Sequence, residues 1–566
     1  QRHGHRLASS SPTPLISRPT LSGLSSLNQA TKRYPLRSTQ FLPQPFVLLR
    51  IFTGHVVRRF CHRLTLSFLS TDSARAVLFP VTPLFPQFTH LFNSQLRSIQ
   101  SSSTSSIHQL AALFDRWIPA HLLSQADDGP HSRRRRWSFR LVFWTASWQF
   151  AQAGASCRTA IRQAQAWCLQ SNQTPPPSEN SPYCQARAAL PLERLQHIHD
   201  HLVREAEQAI AAKDLWCGRR VQVIDGTTLC AADTAANQAF FPQQSVQKPG
   251  CGFPILRLLA VMSLSTGMIV AWAKDSLRSQ ELGLLQRLWD HFRKGDVLLG
   301  DRGFASWGLL AQCQLRGVDA VLRVRGKLRN DFSQGREIDQ HQRLVTWYKP
   351  KQQLRTVPDD EWRRLPESLT LRLVRCRLES RGFRSCEVIL VTTLLDAVSF
   401  PATELGNLYR RRWLMELCLR NLKTSLGMEV LSAMNPETLD RELRLHLLVH
   451  NMVRRLMLET ARQRGVALGQ ISFAGSIAAA LEFSRAICSA RSRKLRERIY
   501  QELLSVLAHD ALPKRPDRRE PRALKRRPKP YQLLNCHRRH FREIRHQNRY
   551  RKPASPLKTP KTLVAI

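Results

Sequence analysis

Acidic side chains are what this 566-residue sequence has least of for its size. It contains 42 Asp and Glu residues against 86 Lys and Arg, which leaves a formal net charge of +44 at pH 7. An excess of this size indicates a polyanionic partner, because like charges on one chain attract a ligand of the opposite sign. Nucleic acid is the leading candidate, and an anionic membrane surface is the alternative.

Long hydrophobic runs and paired cysteines are also missing. The nearest candidate for a membrane span, residues 255–273, contains Arg257 and a turn-forming Ser265-Thr266-Gly267, so it predicts two strands. The 13 cysteines are scattered and include no CxxC pair. This pattern indicates reduced thiols in a cytosolic compartment, and neither a disulfide framework nor a zinc site.

The length predicts two to four domains. Residues 1–100 hold a single acid, Asp72, and we expect a disordered leader or sequence that precedes the true start. Residues 101–215 have helical spacing and a basic patch, which predicts a helical N-terminal domain with either a DNA contact or a merely solvated basic face. Residues 331–394 predict a β-rich insertion. Residues 481–566 predict helix followed by a basic, partly disordered tail.

The α/β pattern lies in residues 216–330 and 395–480. The predicted elements of its first part are a strand at 221–229, a hairpin at 256–264 and 268–273, a helix at 279–292 and a strand at 296–300. Asp225 ends the first of these strands and Asp301 ends the fourth. Ligands collect at strand ends in an open sheet, and this order of elements suits a ribonuclease H-like core.

Each of these acids has an ordinary structural interpretation. Asp225 precedes Gly226 and two threonines, a context in which Asp often only forms a turn. Asp301 precedes Arg302 and Gly303, and could belong to a salt-bridged turn. The coincidence of both acids with a third carboxylate in a strongly basic chain favours a site.

The third carboxylate, Glu416, lies in a stretch from Tyr409 to Lys423 that predicts one helix. Counted from Tyr409, a single helical face takes in Arg412, Trp413, Glu416 and, two turns later, Lys423. A plain amphipathic helix is the alternative, with Leu414, Leu417 and Leu422 in the core. Acids that converge in this way bind two divalent metal ions about 3.5–4 Å apart.

These residues resemble the signature of bacterial DDE transposases of the insertion-sequence-4 family. That signature is Tyr, two residues, Arg, three residues, Glu, six residues, Lys, and Tyr409, Arg412, Glu416 and Lys423 match it. The segments at 224–228 and 300–304 are similar to the family's other two motifs. The insertion and the strand at 391–396 are family features as well, and the resemblance spans roughly residues 103 to 545.

The resemblance implies a role for each residue. Asp225, Asp301 and Glu416 would be the catalytic triad and the ligands of two Mg²⁺ (or Mn²⁺) ions. Tyr409, Arg412 and Lys423 would grip the terminal phosphates of a transposon end. Trp413 would stack on a displaced base, and its alternative role is that of a core aromatic residue.

The expected function is that of a DNA transposase. Such an enzyme binds terminal inverted repeats, cuts the element free and joins its 3′ ends to target DNA, as a homodimer on double-stranded DNA and without a membrane. A metal-dependent nuclease of the same fold is one alternative. A catalytically silent DNA-binding relic is the other.

Overall fold

The structure is a computed structural model, which describes residues 106–124, 136–248, 250–324, 332–378, 386–512 and 540. The predictions for residues 1–100 and for most of the basic tail lie outside these residues. Every described residue belongs to one compact unit, Gln87–Ile566. No helix among the described residues is long and apolar enough to cross a membrane.

A mixed ten-stranded sheet forms the centre of the described structure. Its strands are β1 (Val221–Ala231), β2 (Ile255–Ser263), β3 (Ile269–Ser276), β4 (Val297–Gly300), β5 (Asp319–Arg323), β6 (Arg336–Asp339), β7 (Gln342–Tyr348), β8 (Ser368–Leu378), β9 (Cys386–Thr392) and β10 (Val430–Leu431). The strand order is β3-β2-β1-β4-β5-β9-β8-β7-β6, and β10 pairs with β1. The strands β1, β4 and β5 are parallel, and β2 is antiparallel to both of its neighbours. This is a ribonuclease H-like core, so the predicted α/β fold class is confirmed.

The strands of the predicted insertion extend this sheet. β9 pairs antiparallel with β5, and β8, β7 and β6 follow in order. Arg372 on β8 is fully buried, and it donates hydrogen bonds to Gln342 on β7 and to the carbonyls of Asp396 and Phe400. The insertion is therefore tied to the segment that leads into the helices of the signature.

Fourteen helices are found in the described residues. They are α1 (Ser106–Phe114), α2 (Phe139–Ala151), α3 (Cys157–Gln170), α4 (Asn180–Ala188), α5 (Leu192–Gln208), α6 (Ala235–Phe240), α7 (Glu281–Leu285), α8 (Trp307–Leu315), α9 (Asp359–Arg364), α10 (Ala402–Arg411), α11 (Trp413–Arg420), α12 (Pro436–Arg464), α13 (Phe473–Ser489) and α14 (Arg493–His509). Local sequence sets many of their starts. The side chains of Ser138, Ser156 and Asn435, for example, each accept a first-turn backbone N–H.

Successive residues of the central strands enter two separate cores. Val223 and Leu299 face a core shared with the N- and C-terminal helices, whereas Ile224 and Leu298 face a core shared with α7, α8 and the insertion strands. This alternation follows from the two-residue period of a strand. Because both faces are covered, all four residues of β4 are buried and apolar or glycine.

Two predicted helices are divided in the structure. The stretch from Tyr409 to Lys423 is not one helix, because α10 ends at Arg411 and α11 begins at Trp413. The backbone N–H groups of Arg412 and Met415 bond three residues back, at 3.1 and 2.9 Å, which tightens the chain at this point. A π-helical turn, Asn421–Ser425, then follows α11. The predicted helix 279–292 is α7 followed by a 3₁₀ turn, Gln286–His291.

Candidate active site

The sheet register brings the two aspartates together. Val221, Gln222 and Val223 on β1 pair with Val297, Leu298 and Leu299 on β4. Continuing this register by two residues sets Asp225 beside Asp301. Asp301 follows the last residue of β4, as predicted. Asp225 does not end its strand: β1 runs on to Ala231, because β2 supplies hydrogen-bond partners as far as Cys230.

The Asp225 carboxylate is largely buried among charges. One oxygen accepts the N–H of Gly226 at 2.9 Å, and the other lies 3.6 Å from Nη1 of Arg412. Burial raises the pKa of Asp225 to about 6, even though Arg412 and the Gly226 N–H oppose the rise, and the charges of Asp301 and Glu416 add to it. The side chain is therefore poised to gain from a cation.

Asp301 has a turn-forming role and is also part of the cluster. Its Oδ1 accepts the N–H of Gly303 at 2.7 Å, which is the turn interaction considered from sequence. The salt-bridged turn is not found, since Asp301 forms no ion pair with Arg302 in the described part of the chain. Gly300 allows the side chains of neighbouring strands to pack closely against the backbone before Asp301. A Cβ at this position would lie 3.0 Å from the Leu322 side chain and 3.3 Å from that of Ile224.

Arg412 joins the two other acids of the predicted triad. Its Nη2 donates to Oε1 of Glu416 at 2.5 Å, while its Nη1 faces Asp225. The side chains of Arg412 and Asp225 are 18% and 19% exposed, so this bridge is mostly shielded from water. Arg412 thus neutralises carboxylates that would otherwise repel one another.

The other signature residues occupy different environments. Tyr409 is buried, and burial raises the pKa of its hydroxyl while Arg412 opposes the rise. Lys423 lies in the π-helical turn. Its charge opposes the rise that burial causes in the pKa of the Cys230 thiol on β1. Trp413 is 54% exposed, so the alternative of a core aromatic residue is wrong.

Two charged residues at the site were not predicted from sequence. A Cβ on Gly226 would collide with Oε1 of Glu281, which places a fourth carboxylate beside Asp225. Burial raises the pKa of Glu281, Arg257 lowers it, and Asp301 raises it further. The sequence feature that could have drawn attention to Glu281 is its place in the first turn of the predicted helix that follows the hairpin.

The position of Arg323 follows from the register of β4 and β5. Gly300 pairs with Leu322, so the next residue of β5, Arg323, adjoins Asp301.

The donor set suits a hard divalent cation. Asp225, Asp301 and Glu416 offer only carboxylate oxygens, the ligands that Mg²⁺ and Mn²⁺ prefer. The described residues contain no group of three His, Cys, Asp or Glu side chains close enough to hold a metal ion together. At this site the guanidinium of Arg412 lies between two of the acids, Asp225 and Glu416.

The acids thus gather at one edge of a ribonuclease H-like sheet, and known proteins with similar sequences are transposases. Residues 216–452, somewhat less than half of the chain, match the family model described as a transposase DDE domain. The chain is also a distant homologue of the transposase InsG for insertion sequence element IS4 of Escherichia coli (strain K12). The two are 28% identical over 321 residues, which is 56% of this chain and 70% of that protein.

A solved structure is similar as well. It is the piggyBac transposase in a synaptic complex with hairpin DNA, determined by cryo-EM. The match has a TM-score of 0.37 and 12% sequence identity, and it covers 73% of this chain and 86% of the other.

Proposed function

We propose that this chain is a DNA transposase that binds terminal inverted repeats, cuts the element free and joins its ends to target DNA. The observation that carries the proposal is the cluster of Asp225, Asp301 and Glu416 within the matched DDE domain. Each step of such a reaction is an in-line attack on a phosphodiester, so one acidic site can serve all of them.

The three carboxylates are the proposed ligands of two Mg²⁺ (or Mn²⁺) ions. When bound, such ions activate a water or a 3′-hydroxyl and stabilise the leaving oxygen. Asp225 must be ionised to serve as a ligand. Burial favours its protonated form, and a bound cation would favour the ionised form. Arg412 must release the carboxylates to the metal, and its guanidinium is then available to a DNA phosphate.

The signature residues supply the proposed grip on the transposon end. Tyr409, Arg412 and Lys423 flank Glu416 in sequence and carry hydrogen-bond donors, two of which are cationic, and such donors are typical of phosphate contacts. Trp413 stands exposed at the start of α11, next to Arg412. We assign it a stacking contact with a base displaced near the cleavage point.

A strand-transfer assay tests the proposal against both alternatives. The protein is mixed with DNA carrying cognate terminal repeats, a target plasmid and Mg²⁺. Joined product is expected. Cleavage without joining would instead identify a nuclease of the same fold, and binding without cleavage would identify a silent relic.

The variant Glu416→Gln tests the triad. We expect cleavage to fall to background while binding of the terminal repeats is retained, because the amide keeps the shape of the side chain but loses its charge. Glu502→Gln, an exposed change on α14, is the matched control and should cleave normally. Cleavage by Glu416→Gln at the wild-type rate would contradict the assignment.

Synapsis of two ends implies a homodimer on DNA. Light scattering of the protein with a single-end duplex should give a mass of two chains and two duplexes. A complex that stays at one chain and one duplex, at concentrations where cleavage occurs, would contradict this part of the proposal.

A further inference from the structure

A large cleft lies on the side of α11 that carries Leu414 and Leu417. It has a volume of about 930 Å³, and its walls come from α11, the C-terminal half of α12 and the start of α13. This volume is in the range of ligand pockets, roughly 300–1,000 Å³. We call it the basic cleft, because the side chains that line it include the cations Lys213, Arg411, Arg420, Arg454 and Arg462 and one acid, Asp214.

Arg454 is the unusual member of this group. Its side chain is only 7% exposed, and no carboxylate among the described residues forms an ion pair with it. Its neighbours are the thioether of Met457, 4.0 Å from Nη1, the ring of Phe473 and the thiol of Cys418. Burial raises the pKa of that thiol to about 11, so it is neutral and offers no countercharge.

Arg372 shows what a satisfied buried arginine looks like in the same chain. It is fully buried, yet the Gln342 side chain and backbone carbonyls accept its hydrogen bonds. Nε of Arg454, by contrast, is buried with no hydrogen-bond partner in the described structure. A buried guanidinium whose hydrogen-bond partners are neutral sulfur atoms is costly, and an anionic ligand would reduce that cost.

The start of α13 adds a second attraction for an anion. Ser472, Phe473 and Ala474 line the cleft, and they form the N-terminus of a 17-residue helix. The first-turn N–H groups of a helix have no partner inside it and carry a partial positive charge. One of them, from Gly475, is capped by the Ser472 hydroxyl. Such an N-terminus is suited to a phosphate group.

The apolar part of the wall indicates what the phosphate is attached to. Leu414 and Leu417, which the alternative of a plain amphipathic helix would put in the core, are only half-buried and line the cleft. Met457 and Phe473 lie on other sides of it. A ligand with one charged end and one flat, weakly polar body fits both kinds of wall, and a nucleotide has this construction.

We propose that the basic cleft binds a nucleotide unit of a DNA strand, with its phosphate on Arg454 and the start of α13. The site is separate from the acids, because Leu414 and Leu417 lie on a different face of α11 from Glu416. The inference rests on the proposed function only in naming DNA as the source of the nucleotide. A free mononucleotide would present the same chemistry.

Thermal melting with and without inorganic phosphate tests the anion site directly. The wild-type melting temperature should rise with phosphate concentration, because a ligand that binds only the folded state stabilises it. Arg454→Met should melt no lower than the wild type without phosphate, and should show no rise with it. Arg372→Met is the matched control: it should melt lower and keep the phosphate response.

Binding of a fluorescent deoxythymidine oligomer tests the source of the nucleotide. Arg420→Ala with Arg462→Ala removes two cations at the cleft without removing a buried side chain, so it serves even where Arg454→Met folds poorly. We expect roughly tenfold weaker binding, and a salt slope smaller by about 0.7 for each cation removed. Deoxythymidine monophosphate should compete with the oligomer.

Two results would overturn the inference. One is an unchanged wild-type melting temperature in phosphate, in monophosphate and with the oligomer. The other is a phosphate response that Arg454→Met retains in full. Binding of monophosphate without any binding of the oligomer would overturn DNA as the ligand. None of these readouts depends on cleavage, so an inactive protein would contradict the proposed function and leave this inference standing.

Discussion

Arg412 holds the acids of the site together in the absence of a cation. It bridges Asp225 and Glu416, and the side chains of this trio are between 18% and 33% exposed. Its loss would leave repelling carboxylates with no neutralising partner. We therefore expect Arg412→Gln to lose about 1–3 kcal/mol of unfolding free energy in EDTA. Mg²⁺ should restore part of this loss.

Urea unfolding with EDTA and with Mg²⁺ measures this effect. The exposed neighbour Arg410→Gln is the matched control and should behave the same in both conditions. If Arg412→Gln were equally stable with and without Mg²⁺, the carboxylates would not form a cation site.

Truncation of Trp413 should affect DNA binding much more than the stability of the fold. Because it is 54% exposed, its truncation should change the unfolding free energy by no more than about 0.5 kcal/mol. Trp413→Ala should nevertheless weaken binding of a transposon end with an unpaired base by roughly 1–3 kcal/mol. Fluorescence anisotropy with a fully paired end is the control. An equal loss for both duplexes would rule out stacking as the cause.

Sequence was informative about single residues where a motif is local. Glu416 and its neighbours lie within one short stretch, and Asp225 and Asp301 stand next to glycines at strand positions, so all could be selected from the chain alone. The bridge made by Arg412 could not be predicted, because it depends on the distance from α11 to β1. Glu281 was missed for the same reason: only the folded chain places it over Gly226.

At the scale of elements, α12 carries a pH dependence. His446 and His450 are buried in this 29-residue helix, and burial lowers the pKa of each to about 3. Below pH 6.5, the ordinary pKa of histidine, both histidines bind a proton in the unfolded chain but stay neutral in the folded helix. The contribution of the two histidines to the free energy of unfolding is therefore fully present above pH 6.5, and it is lost as the pH falls towards 3.

Urea unfolding at pH 7.5 and pH 5 measures this loss, which should reach about 2 kcal/mol for each histidine. Replacing both residues, as in His446→Leu with His450→Asn, should flatten the pH profile between these values. A wild-type profile that is already flat would contradict the prediction, because it would show that the histidines bind protons equally in the folded and unfolded states.

Elements were predicted well where composition decides them. The buried apolar strand β4 lies within two residues of its predicted bounds. The break at Arg412 was not predicted, since every residue around it is compatible with helix. The extension of β1 beyond Asp225 depends on its pairing with β2.

For the molecule as a whole, the order of elements along the chain predicted the ribonuclease H-like fold class, but the place of the insertion in the sheet was not predicted. β9 joins the sheet beside β5, some 70 residues earlier in the chain. Such pairing of distant strands leaves no local signal. The result is one sheet in which β6 to β9 support the segment before α10.

Gln342 tests this coupling across the molecule. It is 8% exposed on β7 and accepts hydrogen bonds from Arg372, which in turn donates to the carbonyls of Asp396 and Phe400. Gln342→Leu keeps the size of the side chain but leaves a buried guanidinium short of an acceptor. We expect a loss of about 1–3 kcal/mol in unfolding free energy. Hydrogen exchange at residues 394–400 should also become faster, because Arg372 is less firmly held.

The exposed neighbour Gln340→Leu is the control and should change neither quantity. Faster exchange confined to β6 and β7 would mean that the insertion is an appendage whose stability is independent of the signature helices. Faster exchange that reaches residues 394–400 would mean that the outer strands hold the approach to α10 in place. In that case a change more than 60 residues before Tyr409 in sequence should also slow DNA cleavage, because Tyr409 lies on α10 and Glu416 on the helix that follows it.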